Sequence, residues 1–252
     1  MGKNFTLGSG DDSWVRVGLV VPSSNTVMEV DLYRNLPDHM TLHTARMYLE
    51  ETTREAETRM IEEFAPEAAA SVKTARPHFV VFGCTSAGSL GGPEYDRKIC
   101  SHLSEVTGVP TIGVFSSVRE ALLRSGARSL AVLTPYIEDI NASIKQSLES
   151  DGFKVLAIHG MGIDVNFDLA VVTPRQIAEF SAEKLKGVEP DILFFSCTNF
   201  RAMEALPLLR QQFSMPIVTS NTATLEAISA MGEEIRSTGS VGSGMRSRKS
   251  AY

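Results

Sequence analysis

Cysteine is scarce in this 252-residue chain: there are three, Cys84, Cys100 and Cys197. So small and odd a number cannot build a disulfide framework and points to a reducing cytoplasm. Long apolar runs are missing too. The longest, residues 17–22 and 192–195, have strand length, far short of the roughly 20 residues of a membrane-spanning helix. The opening MGKNFTLGSGDD lacks the apolar stretch of a signal peptide. Positive charge is in deficit, with 24 Lys and Arg against 30 Asp and Glu, a net of −6. Nucleic acid and anionic membrane are therefore not expected as partners. No Gly-Lys-Ser/Thr follows the stretch from Gly83 to Gly88, and no GxGxxG follows the first apolar run. Nucleotide phosphate loops and dinucleotide folds lose their usual signatures. CxxC, HExxH and clustered His/Cys spacings are absent as well, so a metal site is not expected.

What is present is ordinary for a soluble globular protein: 43% hydrophobic and 21% charged residues. Apolar runs of strand length cover residues 15–21, 40–43, 78–82, 111–115, 130–133, 155–158, 192–195 and 216–219. Amphipathic stretches fill 52–74, 94–107, 117–125, 137–150, 173–187, 200–213 and 222–231. Such alternation predicts α/β architecture, with mostly parallel sheet covered by helices. Eight strands could close a barrel, but an internal repeat favours two halves. VGLVVPSSNT, VVFGCTSA and VPTIGVFSS recur as SLAVLTPYIEDIN, ILFFSCTNF and MPIVTSNT. Pro22 and Cys84 are 62 residues apart, as are Pro135 and Cys197. The expected organisation is a flexible leader at 1–13, two pseudo-symmetric Rossmann-like halves at 14–116 and 117–232, and a flexible tail at 233–252. The last helix is allowed to return to the first half.

In such sheets ligands bind beyond the carboxyl ends of the strands, where both Cys-Thr loops are expected. A cysteine just before a helix N-terminus sees partial positive charge and free N–H donors, which favour thiolate. Thr85, Ser86, Thr198 and Asn199 could hold a carboxylate beside it. Cys100 has no counterpart in the other half and is expected in the core. Ser24 and Asn25, in Pro22-Ser23-Ser24-Asn25-Thr26, serve either as helix caps or as anion ligands. Tyr136 stands at the equivalent second-half turn and could donate to a carboxylate or an enolate-like oxygen. Asn166 either faces the cleft or makes an Asx turn. Arg46 is a weaker candidate for a carboxylate partner. Residues 44–53 are the candidate loop to close over a substrate.

These motifs resemble the aspartate/glutamate racemase superfamily, and within it the maleate cis–trans isomerases, with arylmalonate decarboxylases and ectoine-utilisation proteins as close relatives. VGLVVPSSNTVME is similar to a PSSNT-ME signature, and GCTSA and SCTNF resemble paired catalytic cysteine loops. The resemblance implies a site between two halves, usually without cofactor, and a homo-oligomer, dimer or tetramer. It implies Cys84 as nucleophile, Cys197 as the proton-handling cysteine, and Asn25, Tyr136 and Asn166 as substrate contacts. The decarboxylase relatives carry glycine where Cys84 stands, so the likeness to them is weaker here. The implied substrate is a small dicarboxylate, maleate, isomerised through a thiolate adduct. Cys84 is accordingly expected to have a lowered pKa and Cys197 to remain a thiol. The rival is a two-cysteine racemase or epimerase. No acidic residue in the Cys loops offers a partner for its substrate's ammonium group. A non-catalytic small-acid binding protein is a third possibility.

Overall fold

Two short runs, Phe79–Phe82 and Ile192–Phe195, set the architecture. Each is buried along its whole length, as a central parallel strand covered on both faces requires. The structure, a computed structural model, describes residues 14–92 and 94–238. Its eight strands form two four-stranded, all-parallel sheets. The first holds β1 (Val15–Pro22), β2 (Met40–Met47), β3 (Phe79–Phe82) and β4 (Thr111–Gly113), in the order β2-β1-β3-β4. The second holds β5 (Ser129–Thr134), β6 (Lys154–Gly160), β7 (Ile192–Phe195) and β8 (Ile217–Thr219), in the order β6-β5-β7-β8. Identical strand order in both sheets is the structural form of the repeat, and the fold is the α/β class expected.

Helices cover the sheets: α1 (Met28–Asn35), α2 (Arg54–Arg59), α3 (Ala65–Lys73), α4 (Thr85–Ser89), α5 (Tyr95–Thr107), α6 (Val114–Arg124), α7 (Glu138–Ser150), α8 (Pro174–Lys184), α9 (Ala202–Gln212) and α10 (Ser220–Thr238). The single helix expected over 52–74 is interrupted by a π-helical turn at Met60–Phe64. Pro66 lies in the first turn of α3 and has no N–H to donate. The Ala65 N–H reaches Met60 O instead, the wider spacing of a π turn. α6 spans the division proposed between residues 116 and 117, and α10 packs on α6 and reaches α1 and β1.

Three boundaries differ from expectation for physical reasons. β2 runs to Met47 because 44–47 continue the ladder to β1. As an edge strand it mixes exposed and buried residues, so its apolar run breaks early. α10 extends through Thr238, so residues 233–238 are helical rather than tail; Met231 and Ile235 carry its buried stripe onward. The leader at 1–13 and the rest of the tail lie outside the described residues. The run 111–115 stops as strand at Gly113, where α6 begins.

Asp96, wholly buried in α5, accepts the Ser116 amide at 2.9 Å and the Ser116 hydroxyl, and so caps α6. Gly113 leaves room for that carboxylate, because a Cβ there would overlap it. Gly113→Ala is expected to displace Asp96 and cost about 1–3 kcal/mol, the penalty of a buried polar group losing its partners. A urea unfolding curve would show this as a lowered midpoint.

Candidate active site

Loops at the carboxyl ends of the strands converge from both sheets. Cys84 follows β3 in extended conformation and is the N-cap of α4. Cys197 follows β7, but α9 begins only at Ala202; it is not at a helix N-terminus as expected. It sits in a turn with φ +136°, a conformation that favours glycine and costs a β-carbon residue on the order of 1–3 kcal/mol. Both thiols are free and 4% exposed. They share surroundings: Cys197 lies within electrostatic reach of Cys84, and Tyr136, itself buried, hydrogen-bonds Cys197 and lies within electrostatic reach of Cys84.

Hydrogen bonds lock the two cysteine loops together. Ser220, the first residue of α10, accepts from Thr85 Oγ1 at 2.9 Å and from the Cys197 amide at 3.0 Å. Thr198 Oγ1 donates to Gly83 O at 3.1 Å and accepts Asn25 Nδ2 at 3.0 Å. Asn25 Oδ1 meanwhile takes the amides of Val27 and Met28 at 3.1 and 3.0 Å. Asn25 thus caps α1 and also ties the sheets. Asn199 Oδ1 accepts the Thr26 amide at 2.9 Å, and its own amide points at Cys197 Sγ at 3.2 Å.

A strap made by both halves lies beside these ties. The loop after β2 meets the loop after β6 in an isolated antiparallel bridge, Glu51 with Val165. The Asn166 amide donates to Glu50 O at 2.8 Å and the Thr52 amide to Asp164 O at 2.6 Å. Asn166 Nδ2 donates to Ser24 Oγ at 2.7 Å, which donates to Leu49 O at 2.5 Å. Thr52 Oγ1 donates to Asn166 Oδ1 at 3.1 Å, and Asn199 Nδ2 donates to Asn166 O at 2.6 Å. Asn166 and Ser24 therefore join the strap. Outside it, residues 48–51, Thr53, Arg59 and Phe64 line a surface hollow of about 390 Å³. Arg46 is occupied elsewhere, bonded to the carbonyls of Ser23 and Asn25 and paired with Glu29. Cys100 packs with Ile99 and Leu103 in the core.

One site residue escapes sequence reasoning altogether. Glu57 of α2 is completely buried and accepts the Ser86 hydroxyl. Its Oε1 is 4.0 Å from Cys84 Sγ, and Ser86 Oγ is 3.6 Å from the same sulfur. Burial pushes the Glu57 carboxyl up to about 8, against the opposing pull of Ser86 and the more distant Arg54. Burial, reinforced by Glu57, also pushes the Cys84 thiol well up, although the Ala87 amide and Ser86 pull the other way. The lowered Cys84 pKa expected from its helix position is thus reversed: desolvation in a dry pocket outweighs a five-residue helix. Cys197 is pushed up to about 12, mainly by burial, with the Tyr136 hydroxyl and the Asn199 amide opposing; it remains a thiol at neutral pH. Among the described residues, no group of three His, Cys, Asp or Glu is placed to hold a metal, and no helix is long and apolar enough to cross a membrane.

Ten predicted site residues thus fall into one interlocked set at the strand ends. Cys84, Ser86, Cys197 and Tyr136 stand at the sulfur atoms; Thr85, Thr198, Asn199 and Asn25 form the ties; Ser24 and Asn166 lie in the strap. The arrangement is a candidate two-thiol site between duplicated α/β halves, with its polar groups turned inward and both sulfur-bearing residues buried. The family profile described as arylmalonate decarboxylase (Amdase) matches residues 17–242, and the chain belongs to that family.

Particular relatives sharpen the picture. A maleate isomerase of Geobacillus stearothermophilus is 23% identical over 84% of this chain and 90% of its own. One from Nocardia farcinica is 27% identical over 82% and 86%. The arylmalonate decarboxylase of Bordetella bronchiseptica is 24% identical over 82% and 86%. Among solved structures, a cysteine-to-alanine variant of the maleate isomerase Iso of Pseudomonas putida S16 with maleate superposes with a TM-score of 0.80, at 24% identity over 85% of this chain and 90% of that one. A Nocardia farcinica maleate cis–trans isomerase variant with a covalently bound succinylcysteine intermediate gives 0.79, at 22% identity over 89% and 93%.

Glu57 leaves a thermodynamic trace. Its folded pKa, about 8, stands above the ordinary 4.5. Between these values the unfolded chain has released a proton that the folded chain keeps. This contribution is fully present below about pH 4.5 and is lost as pH rises to about 8, at roughly 1 kcal/mol per pH unit. Glu57→Gln is expected to flatten that slope and to be the more stable protein at pH 8, as read from urea unfolding at pH 5, 6.5 and 8.

Proposed function

We propose that the protein is an isomerase of a small unsaturated dicarboxylate, converting maleate to fumarate through a covalent adduct at Cys84. The observation that carries this is the pairing of two thiols in one buried site, each with its own polar partner: Ser86 at Cys84, Tyr136 at Cys197. The relatives named maleate isomerase, one of them caught with succinate on cysteine, support the same chemistry.

Rotation about a carbon–carbon double bond requires that the bond first become single. Addition of the Cys84 thiolate to one alkene carbon forms the S–C bond and pushes the π electrons toward the neighbouring carbon and its carboxylate. The Cys197 thiol supplies the proton that this carbon takes. The succinyl adduct rotates freely, Cys197 removes the proton, and the S–C bond breaks to release fumarate and restore the thiolate. One inaccessible barrier is divided into two lower ones. Every atom and charge returns to its start. The amides of the Cys84 loop, with Thr85, Thr198 and Asn25, are the donors we assign to the substrate carboxylates. Asn25 and Thr198 would have to exchange their mutual hydrogen bond for the ligand. With three free cysteines, the same reading places the enzyme in the cytoplasm, as a homo-oligomer like those the family resemblance implies.

A second reading, a two-cysteine amino-acid racemase, draws on Glu57, which puts a carboxyl beside Cys84 where an ammonium group could pair. One NMR experiment separates them. The purified protein is incubated in D₂O with maleate and, separately, with D- and L-aspartate and glutamate. Fumarate is expected from maleate; α-deuteration of the amino acids without fumarate would select the racemase. Cys84→Ala is expected to lower turnover of maleate by at least 1,000-fold. A rate within a few-fold of the native enzyme would remove Cys84 from the nucleophile's role.

A further inference from the structure

The carboxyl group next to the nucleophile has no counterpart in the duplicated half. Around Cys197 the polar partners are the Tyr136 hydroxyl and the Asn199 amide. Around Cys84 they are Ser86 and, behind it, Glu57. The two thiols are placed symmetrically in the fold but are supported asymmetrically, which suits two different tasks.

The geometry on the Cys84 side is a connected path. Ser86 Oγ–H donates to Glu57 Oε1, leaving its lone pairs toward Cys84 Sγ at 3.6 Å. Glu57 Oε1 is also 4.0 Å from the sulfur directly. Oε2 is buried and has no hydrogen-bond partner. Among the described residues no cation is paired with the carboxyl. Arg54, on the same helix, donates to Leu90 O and Ser143 Oγ and lies near Asp139, so it offsets the charge only at a distance. The other titratable groups within electrostatic reach are Cys84 and Cys197 from the two cysteine loops, Tyr136 after β5 and Tyr95 of α5. None of them is a cation. A buried carboxylate held by one donor and no counter-ion is a poor resting anion, and so a good acceptor for a proton.

We propose that Glu57 is the general base that draws the proton from Cys84, through Ser86, and thereby makes the attacking thiolate. This rests on the assignment of Cys84 as nucleophile. The Cys84 S–H bond breaks and its proton passes to Ser86 Oγ, while the Ser86 proton passes to Glu57 Oε1. The net change is Cys84–SH with Glu57 carboxylate going to Cys84 thiolate with Glu57 carboxylic acid. One negative charge moves from oxygen to sulfur, and no oxidant or reductant takes part. The acid so formed faces the new thiolate across Ser86 and keeps its proton until elimination returns the thiolate. A group titrating near 8 is partly ionised at neutral pH and is matched to this transfer. It also resolves the conflict at Cys84, where burial opposes a standing thiolate: the charge reaches sulfur from inside the pocket.

The test uses the full-length native protein without any diacid. Iodoacetamide alkylation of Cys84 is followed by mass spectrometry of its peptide from pH 5.5 to 9.5, with the buried Cys100 peptide in the same digest reporting any unfolding. The native rate is expected to rise through a midpoint near pH 8. Glu57→Gln is expected to lose that limb, reacting at least tenfold more slowly at pH 7 and accelerating only at more alkaline pH. Alkylation of Glu57→Gln within twofold of the native rate at pH 7, with the same midpoint, would overturn the proposal. If Glu57→Gln does not fold, Ser86→Ala decides, since it keeps the carboxyl and removes the bridge. A drop of at least fivefold at pH 7 supports the relay, and an unchanged rate overturns it. Maleate is absent throughout, so a failure of the isomerase assay and a failure of this one are separate results.

Discussion

The two cysteine loops are held together by hydrogen bonds that Ser220 accepts and that Thr198 both donates and accepts, between two sheets that share no strand. Ser220 gathers the Thr85 hydroxyl and the Cys197 amide on one oxygen. Thr198 links Gly83 to Asn25. These groups are buried, and each would cost on the order of 1–3 kcal/mol if left unpaired. Displacing one sheet against the other would break several at once. The spacing of the sulfur atoms is therefore set by satisfied polar groups, which specify position more sharply than the apolar layers beneath them. Small hydroxyl residues suit the task, since they bring donor and acceptor together in one volume.

That closeness has an electrostatic cost. Driving water out strengthens every dipole in the pocket and disfavours every standing charge. Cys84, Cys197, Glu57 and Tyr136 are all held toward their neutral forms. Charge then enters such a site with a ligand or by ionisation of one of its groups, and proton transfer between neighbours moves it from there. The hydrogen-bonded strap between the loops after β2 and β6 belongs to the same logic. It is built from both halves and holds Ser24 and Asn166 between them.

Much of this was legible in the amino-acid order because the repeat is chemical as well as spatial. Apolar runs ending in Cys-Thr at equal spacing identify β3 and β7 and put Cys84 and Cys197 at corresponding strand ends. Glu57 was hidden for the opposite reason. It lies in a stretch of mixed charge with Arg54, Glu55 and Arg59, where a charged residue reads as solvated surface. Only the packing of α2 against α4 turns that one carboxyl inward. Ser220 resembles an ordinary helix-start serine, and its role depends on two loops distant in sequence. The pKa of Cys84 went the other way from its position because a helix end is a local feature, whereas desolvation depends on everything packed around it.

The backbone at Cys197 carries a tension of its own. Its positive φ is a conformation that a residue without a β-carbon would occupy at ease. Under the mechanism proposed above, backbone ease and proton transfer pull in opposite directions at this one position. Screening variants for heat tolerance alone would reward the exchange that removes the sulfur, and a lineage freed from its substrate would drift the same way.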